Sequence, residues 1–251
     1  QCQECVNVCP AFCIDFDMQE KPMKFNVGTV VMSTGYEILD PGANKLMGYG
    51  TIPDVIDGPQ MDRLLAPTRP YNSVLRPSDG KEPENIAIVL CNGSRDKSLC
   101  SPLCCRVGCM YSVKHAQLAM GALPLADITI YTIDMRAFGK GYEEFYDRIK
   151  EEGVNIIRGK TAKIEEEKGQ LLLRTEDVIN DRLIEQKVDM VVLAVGLEPR
   201  EDAAKLAKEL KDYRYGSINK YGYGALMKST LIDLSYEEID ALAEYISTNI
   251  K

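Results

Sequence analysis

Short apolar, β-branched runs recur along this chain. One covers residues 25–34 and closes at Gly35, and another covers 188–195 and closes at Gly196. Runs of this kind, bounded by glycine, read as buried strands. Residues 85–90 form a further strand that leads straight into Cys91, and residues 127–133 and 154–158 add two more. Between them, residues 110–120 read as a helix, and residues 142–152 as an amphipathic one stopped by Gly153. A shorter helix is expected over residues 60–66. Residues 37–58, punctuated by Pro41, Gly42, Gly48, Gly50, Pro53 and Gly58, read as loop, and a Pro-rich connection runs on to Pro83. Residues 160–187 alternate as hairpin strands about a turn near Lys168-Gly169. Beyond residue 200 the pattern predicts a helix over 203–211 and a Tyr/Gly-rich loop over 213–223. Ser235-Tyr236-Glu237-Glu238 then reads as a capping box opening a last helix to about Ile246.

Strands alternating with helices mark an α/β protein, and 251 residues suffice for one large domain with insertions or two small ones. No apolar run approaches the ~20 residues that span a bilayer. The opening residues also lack a basic and then apolar leader. The sequence therefore predicts no direct membrane insertion and a cytoplasmic location. Net charge is −8 with lysines and arginines spread rather than clustered, so the basic stripe of a nucleic-acid binder is missing.

The nine cysteines change the picture. They fall in two groups: Cys2, Cys5, Cys9 and Cys13, then Cys91, Cys100, Cys104, Cys105 and Cys109. An odd number in two tight groups is unlike a disulfide framework and points to metal coordination in a reducing compartment. Cys2-x2-Cys5-x3-Cys9-Pro10 matches the last three positions of the bacterial ferredoxin run Cys-x2-Cys-x2-Cys-x3-Cys-Pro, in which the Cys before Pro serves the other cluster. The chain thus begins inside a motif and without Met, which reads as a truncation or processing point. Cys13 fits no position and reads as structural. In the second group, five cysteines within nineteen residues follow a buried strand. It contains no Cys-x2-Cys pair of the kind zinc sites favour, and thiolate-only ligation at irregular spacing suits an iron–sulfur cluster. Zinc is the competing reading for both groups.

Two shorter signals concern flavin. Residues 30–35 and 191–199, an ordered pair about 160 residues apart, resemble the two internal motifs of two-dinucleotide-domain flavoproteins. A glycine at a strand end there lets backbone approach the cofactor. Thr34, Gly35 and Gly196 are the candidate contacts. No Gly-x-Gly-x-x-Gly fingerprint is present. Gly139-Lys140-Gly141, between a strand and a helix, makes Lys140 a candidate for phosphate, with a plain helix-entry turn as the alternative. His115, the single histidine, reads as a packing or hydrogen-bonding residue.

Together these residues resemble the A subunit of heterodisulfide reductase and its relatives in quinone-interacting oxidoreductase complexes. The resemblance runs from residue 1 to about 200. It is carried by Cys5-x3-Cys9-Pro10 with residues 14–18, and by residues 28–36, 76–81 and 91–96. Met110-Tyr111, Lys114-His115-Ala116 and residues 134–146 carry it further. It implies a partial two-dinucleotide-binding-domain, thioredoxin-reductase-like flavoprotein fold with Cys-rich iron–sulfur segments. It also implies 4Fe–4S clusters and FAD, the latter at a point where electron pairs are split between two routes. The family's cluster is held by a Cys-x12-Cys-x3-Cys-Cys arrangement. Cys91 and Cys104 have that first separation and Cys109 the last position. Gly108 stands at the third, leaving Cys100 or Cys105 to fill in. The register Cys91, Cys100, Cys104, Cys105 is the alternative.

The implied domain plan is a ferredoxin-like end over 1–22, an FAD-domain-like part over 23–82, an inserted α/β domain over 83–187, and a return to the FAD-like region with C-terminal helices over 188–251. The family's Gly-rich FAD strand and closing flavin motif are not matched, so FAD is expected to be shared with a partner. Expected partners are other oxidoreductase subunits, ferredoxin-like and thiol/disulfide-reducing, with a homodimer inside the larger complex. The competing functions are an iron–sulfur carrier without its own flavin and a zinc-stabilised interaction module.

Overall fold

The computed structural model describes residues 3–23, 31, 33–203, 205, 206 and 208. They fall into two compact units, one built on the first 33 residues and the other on Thr34–Ala203. In the first, the short helix α1 (Glu4–Asn7) opens a chain that is otherwise turns and coil to residue 23. The expected strand over 25–34 lies largely outside the described residues, and its members Val31, Ser33 and Thr34 are exposed and in no strand. Among the described residues the first strand is β1 (Tyr36–Ile38). Of the helix expected over 203–211, residues 203, 205, 206 and 208 are helical. The Tyr/Gly-rich loop and the final helix lie outside the described residues.

The larger unit is built on β2 (Val55–Asp57), α2 (Gly58–Leu65), β3 (Asn85–Asn92), α3 (Gly108–Ala122), β4 (Asp127–Thr132), α4 (Tyr142–Glu151) and β5 (Asn155–Arg158). After these come β6 (Thr161–Glu167), β7 (Gln170–Asp177), β8 (Arg182–Val188), β9 (Met190–Val195) and β10 (Leu197–Pro199). Five of the strands form one parallel sheet in the order β2-β9-β3-β4-β5. The loop expected over 37–58 therefore contains a correction: β2 is only three residues long but fully buried. Pro53 and Gly58 flank it closely and hide it in the pattern. Asp57 closes a capping box with Gln60, and Pro59 sits in the first turn, so α2 begins two residues before the expected position.

Alternation along the strands builds three layers. Ile86, Ile88 and Leu90 of β3, with Met190, Val192 and Ala194 of β9, pack with Met61, Val113, Ala116 and Ile149 of the three helices. Ala87, Val89, Val191, Leu193 and Val195 face the other way, onto Ile164, Leu171 and Leu173 of the antiparallel meander β6-β7-β8. A parallel sheet covered on both faces needs such continuous apolar strands. The meander turns where expected, with Lys168 at φ 54° and Gly169 at φ 80°. The expected strand over 188–195 is split at Asp189, whose carboxylate accepts the backbone N–H of Glu84 and Asn85 at 3.0 and 2.9 Å.

Residues assigned from sequence to 23–82, 83–187 and 188–251 thus contribute strands to a single sheet. From β3 the chain builds outward through β4 and β5, then returns through the meander to insert β9 on the other side of β3. The carboxyl end of β3 is the point where strand order reverses, the usual ligand crevice of open α/β sheets.

Candidate iron–sulfur centre

The second cysteine group lies at that crevice. Cys91 interrupts β3 as a bulge: pairing with β9 shifts register between Leu90 and Asn92, and Cys91 takes φ 62°. Bulges of this kind re-aim a side chain. The chain then makes an excursion over residues 93–103, closed by Ser101 N–H donating to the Gly93 carbonyl at 2.9 Å and Asp96 N–H to the Ser101 carbonyl at 3.0 Å. It returns through Cys104 and Cys105 and enters α3, where Cys109 lies buried in the first turn.

Cys91, Cys104, Cys105 and Cys109 line one small pocket together with Arg95, Arg106 and Arg136. Burial pushes the Cys91 thiol up to about 11, and Cys109, Cys105 and Cys104 add to the rise, which places all four within electrostatic reach. Cys109 is raised in the same way, by burial first and then by Cys104 and Cys105. Cys100 stands apart. It sits on the excursion beside Gly93, and the charges that raise its pKa after burial are Asp40 and Glu198. Cys105 shares its pocket with Cys91, Cys104 and Cys109, while Cys100 lines a neighbouring pocket with Cys104 and Cys105.

Two thiols already receive backbone donors: Arg106 N–H to Cys104 Sγ at 3.4 Å and Gly108 N–H to Cys105 Sγ at 3.3 Å. The second donor, Gly108, is the first residue of α3. Around the pocket, Asp134 accepts from both Arg95 and Arg136. Burial works against its carboxylate, but these arginines outweigh it and hold its pKa low. The Arg106 guanidinium lies 4.8 Å from the centre of the Phe138 ring. Among the described residues no three His, Cys, Asp or Glu side chains are grouped tightly enough for one ion. A single zinc, at a Zn–S distance of about 2.3 Å, draws its thiolates to about 4 Å from one another. An iron–sulfur cube gives each thiolate its own iron and asks for a wider cage. Four cysteines and three arginines share one pocket, and two of the sulfurs accept backbone N–H donors, a thiolate-only set of the kind an iron–sulfur group takes.

In the other unit, Cys2 lies outside the described residues, Cys5 is exposed on α1, and Cys9 Sγ is 3.6 Å from Cys13 Sγ. Hydrogen bonds from backbone N–H groups at Cys13 and Ala11 lead in lowering the Cys9 pKa. Spacing missed this pairing because Cys13 lies outside the ferredoxin run; its position four residues after Cys9 was the available signal.

The flavin candidates are brought together in part. β1 and β10 pair antiparallel, matching Tyr36 with Pro199 and Ile38 with Leu197, so the segments after Gly35 and Gly196 lie side by side. Gly35 has φ 82° and open space where a Cβ would stand. Gly196 does not: a Cβ there would run into Ser94 Oγ, meet Leu39 Cδ1 at 2.7 Å and Cys105 Cβ at 3.2 Å. The groups that approach Gly196 are thus Leu39 and the cysteine loop. Thr34 and Lys140 are exposed, Lys140 in the turn that leads into α4.

No family model matches the chain. Among curated proteins it is similar to the A subunit of the H(2):CoB-CoM heterodisulfide,ferredoxin reductase of Methanothermobacter thermautotrophicus, 38% identical over 91% of this chain. It is also similar to an iron–sulfur A subunit of the CoB–CoM heterodisulfide reductase of Methanopyrus kandleri, 42% identical over 76% of this chain. The A subunit of the ferredoxin:CoB-CoM heterodisulfide reductase of Methanosarcina mazei is 39% identical over 83%. The chain belongs to the family of heterodisulfide reductase A subunits. It spans about a third of the length of these relatives, 34%, 30% and 27% in the same order.

Three stretches that carried the family resemblance acquire physical roles. Residues 76–81 form a turn in which Gly80, at φ 69°, donates to the Arg76 carbonyl at 3.0 Å, and Ser78 is held by Asp54. This family stretch is scaffold. Residues 91–96 and 134–146 supply Arg95 and Arg136 on the cysteine pocket, Asp134 that accepts from both, and Phe138 beside Arg106.

Proposed function

We propose that the chain holds a 4Fe–4S cluster on Cys91, Cys104, Cys105 and Cys109 and works as an electron-transfer part of a heterodisulfide-reductase-type oxidoreductase. The observation that carries this is the convergence of four of the five cysteines on one pocket at the carboxyl end of the central strand. In dinucleotide-binding folds a Gly-rich turn cradles phosphate at that point. Here a cysteine cage stands in its place, which supports reading the sheet as the second domain of a thioredoxin-reductase-like flavoprotein. A bound cluster supplies one-electron oxidation and reduction. The chain's own residues hold it: thiolates bind iron, the N–H groups of Arg106 and Gly108 stabilise charge on the sulfurs, and the arginines offset the cluster's negative charge.

Cys2, Cys5 and Cys9 form the end of a second, ferredoxin-type cluster site, with Cys13 beside Cys9. FAD docks against Thr34-Gly35 and the paired β1–β10 segment, with Lys140 as a phosphate contact and with the remaining phosphate donors supplied by a partner. Other oxidoreductase subunits and a second copy of the chain complete the assembly, and splitting of electron pairs at the flavin belongs to that whole.

Iron and sulfide analysis of anaerobically purified protein tests the cage. Replacing Cys91, Cys104, Cys105 or Cys109 with Ser should remove one cluster's share of the iron, the sulfide and the visible absorbance that bleaches on reduction, whereas Cys100→Ser should retain it. Unchanged iron in Cys104→Ser, or loss in Cys100→Ser alone, sinks the assignment. A colourless protein carrying zinc would favour an interaction module instead.

A further inference from the structure

One buried polar group is left over by the cage. Ser94 is 2% exposed, and its Oγ has no hydrogen-bond partner. A buried hydroxyl without a partner costs roughly 1–3 kcal/mol, so such a group calls for an explanation. Its backbone is fixed on both sides: its N–H donates to the Cys91 carbonyl at 3.3 Å, and it bridges to Ser101 across the excursion. The side chain stands over Gly196, at the spot where a Cβ would also meet Cys105 Cβ at 3.2 Å. Ser94 also lines a second pocket whose walls include Cys100, Cys104, Cys105 and Arg106. Cys104 and Cys105 are thus shared walls, with the cage on one side and Ser94 on the other.

We propose that, once a cluster fixes the Cys104 and Cys105 thiolates, the Ser94 hydroxyl donates a hydrogen bond from the far side of that wall to one of these two cysteine sulfurs and thereby raises the cluster's reduction potential. This rests on the cage reading above. Reduction adds an electron whose charge is spread over the sulfurs, so a donor aimed at sulfur stabilises the reduced state more than the oxidised one. Ser94 is a positioning residue: it binds no iron and acts through the sulfur. Gly196 is the enabling residue, because any side chain there would displace the hydroxyl.

The test uses the full-length protein, purified anaerobically, with iron content measured alongside a redox titration followed by electron paramagnetic resonance. Ser94→Ala should keep its iron and titrate at a lower potential than the parent. Ser94→Thr, which keeps the hydroxyl, should titrate with the parent. An unchanged potential in Ser94→Ala with full iron overturns the proposal. So does an equal drop in Ser94→Thr, or loss of iron from Ser94→Ala, which would make the hydroxyl a packing requirement only. A parent protein without iron would remove the cage reading itself, and that result is visible before any variant is made.

Discussion

Gly196 shows how one missing side chain serves the site. Its Cα is crowded by Ser94, Leu39 and Cys105, so Gly196→Ala forces the cysteine loop or Leu39 to move. Overpacking of this kind costs about 1–3 kcal/mol, and here the strain falls on a cage wall. Loss of stability in denaturant melts together with reduced iron retention is the expected result; a variant with parental values for both would contradict it. His115 makes a second prediction. It is buried in α3 with Nε2 2.8 Å from Asp62 Oδ1, while Nδ1 lacks a partner. Burial lowers its pKa, with Asp62 opposing less strongly. The folded value therefore lies below that of the unfolded chain, about 6.5, and the unfolded state takes up the proton first as pH falls. This contribution to stability is full above that value and is lost as pH falls through the folded pKa. Melts across that window should show the decline, and His115→Gln should flatten it.

The elements themselves were mostly legible. Strands β3, β4 and β5 and helices α3 and α4 appear within about two residues of where their apolar spacing puts them, because each buries a continuous stripe. What could not be read were short pieces defined by partners: β1, β2 and β10 are three residues each, too short to carry a period. The meander was legible as hairpins, but not as the second layer of the core. Leu173, fully buried against the sheet, tests that layer. Leu173→Ala should cost about 2–5 kcal/mol and loosen β7 from the sheet while leaving the helical face intact. Hydrogen exchange would show protection lost in β6–β8 first; uniform loss across α3 and α4 would contradict a separable layer.

For the larger unit as a whole, strand order lay beyond the sequence because parallel neighbours are distant in the chain. Ile86 pairs with Met190, and Val55 with Val191. The placement of the five cysteines was hidden for a related reason: it depends on a bulge at Cys91 and a closed excursion over 93–103, and neither follows from spacing. The position of β9, last into the sheet yet between β2 and β3, also sets an order of manufacture. A nascent chain ending short of Met190 leaves β2 and β3 each with an open row of N–H and C=O groups beside a bare apolar layer. Gly196, the wall behind Cys105, leaves the ribosome only after β9. The cluster of the Cys91–Cys109 pocket is therefore expected to load once synthesis has passed residue 196, and stalled nascent chains of graded length, probed with radioactive iron, should gain that cluster's share only beyond that length.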